Sequence, residues 1–279
     1  MDEPADSEPE AGGLIRLRLD LEYDGTAFAG WATQPGQRTV QGTVEAALAT
    51  VLREPIDLVV AGRTDAGVHA SGQVAHADVP THLWASAGPQ LLRRLAGVLP
   101  SDVRVRSVGP APAHFDARYG ALSRRYVYRL SVAAWGVSPL RRIDTVAWQR
   151  PLDIDAIRRA STGLIGLHDF AAFCKHRPHA TTVRTLQVMN WGHHSAGPVT
   201  ATVQADAFCH NMVRGLVGCL LSVGEGRRPV EWPVSLLGAT ERSGDVPVAP
   251  AHGLTLVEVT YPNDCNLAAR VAQTRARRT

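Results

Sequence analysis

Alternating hydrophobic and charged residues near the start of the chain predict its first strand. Every second position is apolar, and the positions between them carry arginine or an acid. This period-two pattern is typical of a half-buried strand. The apolar positions are Ile15, Leu17, Leu19, Leu21 and Tyr23. The pair Asp24-Gly25 follows and favours a turn that ends the strand.

Further patterns in residues 13–110 predict helices and strands in a regular order. Thr39 is a suitable N-cap for a helix that carries its apolar residues on one face. Apolar patterning predicts more strands at 56–60, 73–79 and 103–108, and a second helix at 89–98. The resulting order, strand–helix–strand–strand–helix–strand, is that of the split βαβ arrangement.

Residues 111–262 repeat this order loosely after a candidate hinge at Pro110-Ala111-Pro112. The elements predicted there are strands at 121–132, 182–190, 199–205 and 254–261, helices at 154–164 and 212–223, and a short helix near Val234. We therefore predict an α+β fold in which two split-βαβ halves form one extended, mostly antiparallel sheet with helices on one face. The cleft between the halves is the natural place for a binding site.

The two ends of the chain carry opposite charge. Residues 1–12 are predicted to be a disordered acidic lead, and the first ten of them contain five acids and no base. Residues 263–279 form a basic tail, with four arginines and no acid in the last ten. Removing the five acids of the lead raises the net charge from +3 to +8. That charge fits a polyanionic partner such as RNA, although solubility alone would also explain it.

Apolar runs and cysteines place limits on the class of protein. No apolar run is long enough to span a membrane, and the N-terminus lacks a basic-then-apolar signal, so we expect a cytoplasmic protein. The four cysteines form no Cys-x-x-Cys pair, and we expect them to be isolated, reduced thiols. They are Cys174, Cys209, Cys219 and Cys265.

The loop after the strand at 56–60 presents a single carboxylate. Gly62 and Gly67 bracket Asp65, and glycine permits a tight turn and close approach of a ligand. Arg63 lies two residues from Asp65, and a nearby guanidinium favours the ionised carboxylate. Spacing alone leaves a surface turn capped by Asp65 as an equal alternative.

Arg214 is the clearest candidate outside that loop. It lies in a helical segment that is apolar nearly all round, which predicts burial. A buried guanidinium needs a carboxylate or phosphate partner, and we hypothesise that the partner is Asp65. Arg214 could instead lie at the helix N-terminus and reach solvent.

A group of histidines and one cysteine raises the alternative of a metal site. The group consists of His168, Cys174, His176 and His179. Its spacing matches no zinc pattern, so we expect no metal.

The loop sequence Gly62-Arg63-Thr64-Asp65-Ala66-Gly67-Val68-His69 resembles the signature of the tRNA pseudouridine synthase A family. The resemblance extends over residues 14–262, and it implies that Asp65 is the catalytic residue. The segment 208–214 is similar to the family's Phe-x-His-x-Met-Val-Arg segment, whose arginine pairs with the catalytic aspartate. That arginine corresponds to Arg214.

The segment around Tyr126 resembles the family's second signature, in which a tyrosine stacks on the target base. The pattern alone would favour a core tyrosine in a strand. Arg118, Arg124 and Arg125 cluster near it and are candidate phosphate contacts, or merely a solvated strand face. The sequence departs from the family pattern at Asp116, where histidine is common, at Ala32, and at Val98.

The resemblance implies a defined reaction and partner. Family members are homodimers that isomerise uridine to pseudouridine at positions 38, 39 and 40 in the anticodon arm of tRNA. They use no metal and no small-molecule cofactor. Two alternatives remain from the residues themselves: a non-catalytic RNA-binding module with a sheet of this kind, and a metal-dependent hydrolase using the histidine and cysteine group.

Overall fold

The computed structural model describes residues 13–175, 181–192 and 197–276. The first strands are β1 (Leu14–Tyr23), β2 (Val59–Val60), β3 (His69–Pro80) and β4 (Val103–Pro110). The helices among them are α1 (Val40–Leu52) and α2 (Thr81–Val98). Helix α1 begins where predicted, because the side chain of Thr39 accepts a hydrogen bond from the backbone N–H of Gly42.

The rest of the chain supplies six strands and four helices within the described ranges. The strands are β5 (Ser123–Ser131), β6 (Val146–Ala147), β7 (Gly166–Asp169), β8 (Val183–Gly192), β9 (Val199–Ala205) and β10 (Leu254–Thr260). The helices are α3 (Ile154–Thr162), α4 (Met212–Gly224), α5 (Trp232–Ser235) and α6 (Leu267–Ala276).

These ten strands form a single sheet. The order is β4-β1-β3-β10-β5-β9-β8-β7, with β2 paired to β3 and β6 paired to β5. Only the pairings of β10 with β3 and of β5 with β6 are parallel among the described strands. The predicted α+β class with a mostly antiparallel sheet is therefore confirmed. The order β4-β1-β3-β2 has the same topology as β10-β5-β9-β8, as a repeated split βαβ unit requires. The domain boundary near residue 110 stays a prediction.

The two halves join at the first residues of β3. Thr255 and Leu256 of β10 pair with His69 and Ala70, while β2 pairs further along the same edge of β3. The loop between β2 and β3 therefore lies at the junction of the halves, which is where the sequence predicted a cleft.

Apolar side chains at alternate strand positions build the core. In β1 the side chains of Leu17, Leu19 and Leu21 are buried, as the period-two pattern predicts. In α4 every residue except Arg214 is buried, so this helix lies in the core as its apolar sequence predicts. Among the described residues, no helix is both long and apolar enough to cross a membrane.

Several elements differ from the sequence prediction. The strand expected at 56–60 is reduced to β2, and the two short strands β6 and β7 were not predicted. Helix α2 begins eight residues before Pro89, which was expected to start it. Ala87, Leu91 and Leu95 are buried on both sides of Pro89, so packing sustains the helix across it.

Part of the segment predicted as a basic tail is helical. Residues 267–276 form α6, and the Arg270 guanidinium donates to the Ala121 carbonyl at 3.0 Å. Arg275 lies 3.3 Å from a carboxylate oxygen of Asp116. Two of the tail's arginines thus contact the protein itself. The predicted acidic lead, residues 1–12, lies outside the described residues.

Candidate active site

Asp65 lies in the loop between β2 and β3, above a buried polar network. The Tyr23 hydroxyl lies 2.8 Å from the hydroxyl of Thr64, and Gln73 donates to it at 3.1 Å. The Gln73 amide also donates to the carbonyl of Gly62 at 2.9 Å. Two strands, β1 and β3, thereby hold both sides of the turn that presents Asp65.

Backbone contacts complete the support of this loop. The Trp31 N–H donates to the carbonyl of Thr64 at 3.0 Å, and the Gly67 N–H donates to the carbonyl of Phe28 at 3.3 Å. Gly67 has a φ of +75°, a left-handed conformation that favours glycine. Gly62 does not adopt a positive φ, so of the two bracketing glycines only Gly67 is required by backbone conformation.

Helix α4 carries Arg214 from the other half of the sheet. Asn211 precedes the helix with a left-handed φ of 67°, and Nη1 of the Arg214 guanidinium donates to Oδ1 of Asn211 at 3.4 Å. Arg214 Nε donates to the Ala249 carbonyl at 2.7 Å, and the Ala249 N–H donates back to the Arg214 carbonyl at 3.1 Å. The guanidinium is therefore held on a fixed piece of backbone.

Two glycines let other backbone segments approach α4. A Cβ at Gly215 would lie 2.7 Å from the carbonyl oxygen of Phe173. A Cβ at Gly218 would lie 2.1 Å from the carbonyl oxygen of Pro247. This close packing brings the Ala249 carbonyl within reach of Arg214.

The carboxylate of Asp65 faces two cationic or polar groups of the second half. Arg214 Nη1 lies 3.9 Å from Oδ2, and His210 Nε2 lies 3.4 Å from Oδ1. All three side chains are largely buried, with exposed fractions of 28% for Asp65, 19% for Arg214 and 23% for His210. The structure thus brings together the predicted pair, Asp65 and Arg214, and adds His210.

His210 was missed by the sequence analysis as a site residue. It lies inside the segment 208–214 that carried the family resemblance, four residues before Arg214. The sequence signal for His210 was this short spacing from Arg214, because His210 precedes the start of the buried helix and Arg214 lies in its first turn.

Tyr126 lies in β5 on the buried face of the sheet. Its side chain is 7% exposed, and its ring meets that of Phe208 edge to face at 5.2 Å. Burial, followed by the nearby Tyr23 and Asp65, raises the pKa of Tyr126, so its phenol is neutral at ordinary pH. The ring lines the same cavity as Asp65.

A cavity of about 630 Å³ opens between the two halves. This volume lies within the range usual for small-molecule sites and can hold one nucleotide with its phosphate. Among the described residues, the polar and aromatic side chains that line it include Asp65, Tyr126, Phe208, His210, Arg214 and Lys175.

Arg63 and Arg118 lie at the edge of this cavity with exposed side chains. Among the described contacts, no hydrogen bond or ion pair joins Arg63 to Asp65. The structure therefore places Arg214 and His210, rather than Arg63, within ion-pair distance of the carboxylate. Arg63 and Arg118 are instead placed where they could meet a polyanion.

Arg124 and Arg125 point to opposite faces of β5. Arg124 is only 6% exposed, and its guanidinium donates to the carbonyls of Ala61, Arg118 and Asp206. It therefore ties the loop of Asp65 to the second half, a structural role that the arginine cluster did not indicate. Arg125 pairs with Glu258 and donates to Gln204 on the other face. For both residues, contact with RNA stays a prediction.

The expectation of four isolated thiols is wrong. Cys174 and Cys209 form a disulfide with a Cα–Cα distance of 5.9 Å, because the segments that carry them lie side by side. The Lys175 N–H also donates to the His210 carbonyl at 2.9 Å. The spacing of 35 residues along the sequence gave no sign of this proximity. Cys219 and Cys265 are free.

Of the four residues considered for a metal, two fall within the described part of the chain. Cys174 is in the disulfide, and His168 Nε2 lies 3.1 Å from the carbonyl of Ile165. His176 and His179 lie outside the described residues. Within the described ranges, no three His, Cys, Asp or Glu side chains cluster as metal ligands would.

The departure from the family pattern at Asp116 has a structural explanation. Asp116 is buried, and its Oδ1 accepts hydrogen bonds from the backbone N–H groups of Arg118 and Tyr119, both at 2.8 Å. It shapes the turn that precedes β5. Ala32 packs against the core, and Val98 is the exposed last residue of α2, so neither touches Asp65.

The assembled site combines a carboxylate with an aromatic side chain. The guanidinium and the imidazole lie near the two carboxylate oxygens, and the Tyr126 ring lines the same cavity. Such an arrangement can accept a planar base on the ring and direct a carboxylate at its sugar.

Comparison with known proteins identifies the class of enzyme. The family model described as tRNA pseudouridine synthase matches residues 21–120 and 160–262, which is most of the chain. The chain therefore belongs to the tRNA pseudouridine synthase family. This match confirms the resemblance and the predicted enzyme class, an isomerase. It favours that class over the two alternatives, a non-catalytic binding module and a hydrolase.

Individual relatives carry a more specific name. A protein of Frankia casuarinae named tRNA pseudouridine synthase A is 60% identical over 265 residues, covering 95% of this chain and 96% of its own. One of the same name from Streptomyces griseus is 56% identical over 98% of this chain and 97% of its own. A chain in the "Crystal Structure of a Cbf5-Nop10-Gar1 Complex" covers 80% of this chain and 53% of its own at 12% identity. Its TM-score of 0.36 is too low to indicate a shared fold.

Proposed function

We propose that this protein isomerises uridine to pseudouridine at positions 38, 39 and 40 in the anticodon arm of tRNA, with Asp65 as the catalytic carboxylate. The observation that carries the proposal is the approach of Arg214 and His210 to Asp65 across the junction of the halves. The relatives named tRNA pseudouridine synthase A, which match nearly the whole chain, support tRNA as the substrate. Since tRNA is used in the cytoplasm, the same proposal puts the enzyme there.

The reaction breaks one bond and makes another at the same sugar carbon. The N1–C1′ bond breaks, the uracil turns, and a C5–C1′ bond forms, while N1 gains a proton and C5 loses one. No electrons are transferred and no water is consumed, so the chemistry calls for no redox cofactor. The uridine must leave its stack, because C1′ and C5 are otherwise out of reach of a side chain.

Each site residue has a proposed part in this reaction. Asp65 acts as an anion, either by attacking carbon or by removing a sugar proton, and Arg214 orients it. Tyr126 stacks on the everted uracil, an interaction worth ~1–3 kcal/mol per base. Water must be kept out of the cavity during the reaction, because it would otherwise hydrolyse the cleaved sugar.

The cavity edge supports contact with the RNA backbone. Arg63 and Arg118 are exposed there, and Lys175, the only lysine in the chain, also lines the cavity. Contacts of this kind fix the position of a nucleic acid without reading its sequence.

We also propose that the protein is a homodimer. The family resemblance implies this state, and the segment between β5 and β6 supports it with exposed apolar side chains. Trp135 is 74% exposed and Leu140 is 90% exposed, and Ile143 lies in the same segment. Large apolar side chains exposed together are typical of a surface that a partner covers.

The deciding experiment is to incubate the protein with unmodified tRNA and to map pseudouridine at each position. Wild type should form it at positions 38 to 40, and Asp65→Asn should not. Asp57→Asn is the matched control, because it removes the same charge from an exposed residue eight positions away. Product from Asp65→Asn at the wild-type rate would reject the catalytic assignment. Product only at other uridines would reject the proposed target.

A further inference from the structure

His210 approaches the same carboxylate as Arg214, but at the other oxygen. Its Nε2 lies 3.4 Å from Oδ1 of Asp65, whereas Arg214 Nη1 lies 3.9 Å from Oδ2. Each oxygen of Asp65 therefore faces one nitrogen from the second half. Both distances are longer than a typical hydrogen bond, but contacts on different oxygens restrict the rotation of a carboxylate about its Cβ–Cγ bond more than a single contact does.

The backbone of His210 is held on both sides. The Lys175 N–H donates to the His210 carbonyl at 2.9 Å, and Cys209 is in the disulfide with Cys174. Asn211 follows in a left-handed conformation with a φ of 67° and leads into α4. The structure thus fixes the point from which the imidazole extends toward Asp65, as a preorganised site requires.

From this geometry we propose that His210 is a positioning residue for Asp65 in the isomerisation of uridine. Its Nε2–H donates to Oδ1, while Arg214 holds Oδ2, so the carboxylate meets the sugar in one orientation. The inference rests on the proposed function, because it takes Asp65 to be the catalytic group.

The surroundings of His210 favour this role over a contact with the RNA backbone at the edge of the cavity. Its side chain is 23% exposed and lines the cavity beside Asp65, whereas Arg63 and Arg118 are exposed at the edge. The separation of 3.4 Å is somewhat long for a hydrogen bond. Contacts around a catalytic group are often long in the free enzyme and shorten when substrate displaces water.

The experiment uses three substitutions that differ in where they place an amide. In His210→Gln the amide nitrogen can reach the position of Nε2, and in His210→Asn the shorter side chain cannot. His210→Leu removes the polar group. The rate of pseudouridine formation at saturating unmodified tRNA and the Kd for tRNA are measured for each variant, with Asp65→Asn in parallel.

We expect His210→Leu and His210→Asn to lower the rate at saturation by about 10- to 100-fold, as a misplaced catalytic group does. The Kd for tRNA should not change, and His210→Gln should recover most of the rate. If His210→Leu does not fold, the comparison of the two amides decides, because both are polar and differ only in reach.

Three results would overturn the proposal. They are a wild-type rate in His210→Asn, a Gln variant as slow as the Asn variant, and a change confined to the Kd for tRNA. The last would make His210 an RNA contact. Failure of the proposed function is distinguishable from these results, because either wild type would then form no pseudouridine at positions 38 to 40 or Asp65→Asn would be active, whatever the His210 variants show.

Discussion

Arg214 contacts both the loop of Asp65 and its own half of the molecule with one guanidinium. Its Nη1 lies 3.9 Å from Oδ2 of Asp65, while its Nε donates to the Ala249 carbonyl at 2.7 Å. A planar guanidinium can do both at once because its donors have fixed relative directions. The charge that faces Asp65 is therefore oriented by backbone from the second half.

Replacing Arg214 by lysine should keep a positive charge and still impair the enzyme. The ammonium of Arg214→Lys cannot bond the Ala249 carbonyl and face Asp65 in the same geometry. We expect the rate at saturating tRNA to fall by about 100-fold, in the range found when one electrostatic donor is removed from an active site. Single-turnover assays on unmodified tRNA measure this. Arg158→Lys is the control, since the Arg158 guanidinium likewise bonds a backbone carbonyl, that of Trp191, and a carboxylate, that of Asp155, but does not line the cavity. A wild-type rate in Arg214→Lys would show that charge alone suffices.

Local patterns in the sequence were enough to predict most of the fold. The period-two pattern of β1 and the apolar sequence of α4 each correspond to an observed element with the predicted side buried. Residues 166–169 were missed, because β7 is short and, among the described strands, pairs only with β8. Helix α2 was misplaced at its start, because tertiary packing across Pro89 outweighs the local preference of proline.

The site was predicted only in part, because some of its contacts form between segments that are distant in the sequence. Arg214 could be inferred because a guanidinium in an apolar helix needs a partner. His210 and the Cys174–Cys209 pair depend on which segments become neighbours after folding, and no short-range pattern encodes that. The burial of Arg124 by three carbonyls is likewise a property of the tertiary structure.

Gly218 offers a test of how the Arg214 geometry is maintained. A Cβ there would lie 2.1 Å from the Pro247 carbonyl oxygen, so Gly218→Ala must push away the segment that carries Ala249. We expect a loss of about 1–3 kcal/mol in the free energy of unfolding, typical of overpacking, and a lower rate in the folded variant. Denaturant titration and activity assays at a temperature where both proteins are folded measure the two effects.

Gly97→Ala is the matched control for this substitution. Gly97 lies in α2 with nothing within 4 Å of an added Cβ. Its replacement should leave activity intact and add about 0.5–1 kcal/mol of stability, because alanine suits a helix better than glycine. Equal behaviour of the two variants would contradict the role of close packing at Gly218.

The buried phenol of Tyr23 makes a prediction about pH. Burial raises the pKa of Tyr23 from 10.0 to about 12, against the opposing effect of its hydrogen bonds to Thr64 and Gln73. The unfolded chain therefore loses this proton first as the pH rises. The contribution of Tyr23 to stability is full below pH 10 and is lost as the pH rises through about 12.

Tyr23→Phe should accordingly be less stable than wild type near pH 8 and close to it near pH 12. At pH 8 the lost hydroxyl leaves buried partners unsatisfied, which costs about 1–3 kcal/mol. Urea titrations at several pH values measure the difference. Tyr119→Phe is the control, because Tyr119 lies against Arg118 and Arg275, outside the network below Asp65. A gap between wild type and Tyr23→Phe that stays constant with pH would refute the argument.

Reduction of the Cys174–Cys209 disulfide should lower the stability of the fold more than it lowers the enzymatic activity. The bond closes a loop of 35 residues, and the loop-entropy model assigns about 4 kcal/mol to a closure of that size. Activity below the unfolding temperature should change little, because the Lys175 N–H still holds the His210 carbonyl.

The measurement is Tm and activity with and without reductant, after mass mapping of the bond. The double variant Cys174→Ala/Cys209→Ala should have the Tm of the reduced protein, and adding reductant should not change it. An unchanged Tm on verified reduction would show that the bond adds nothing to stability.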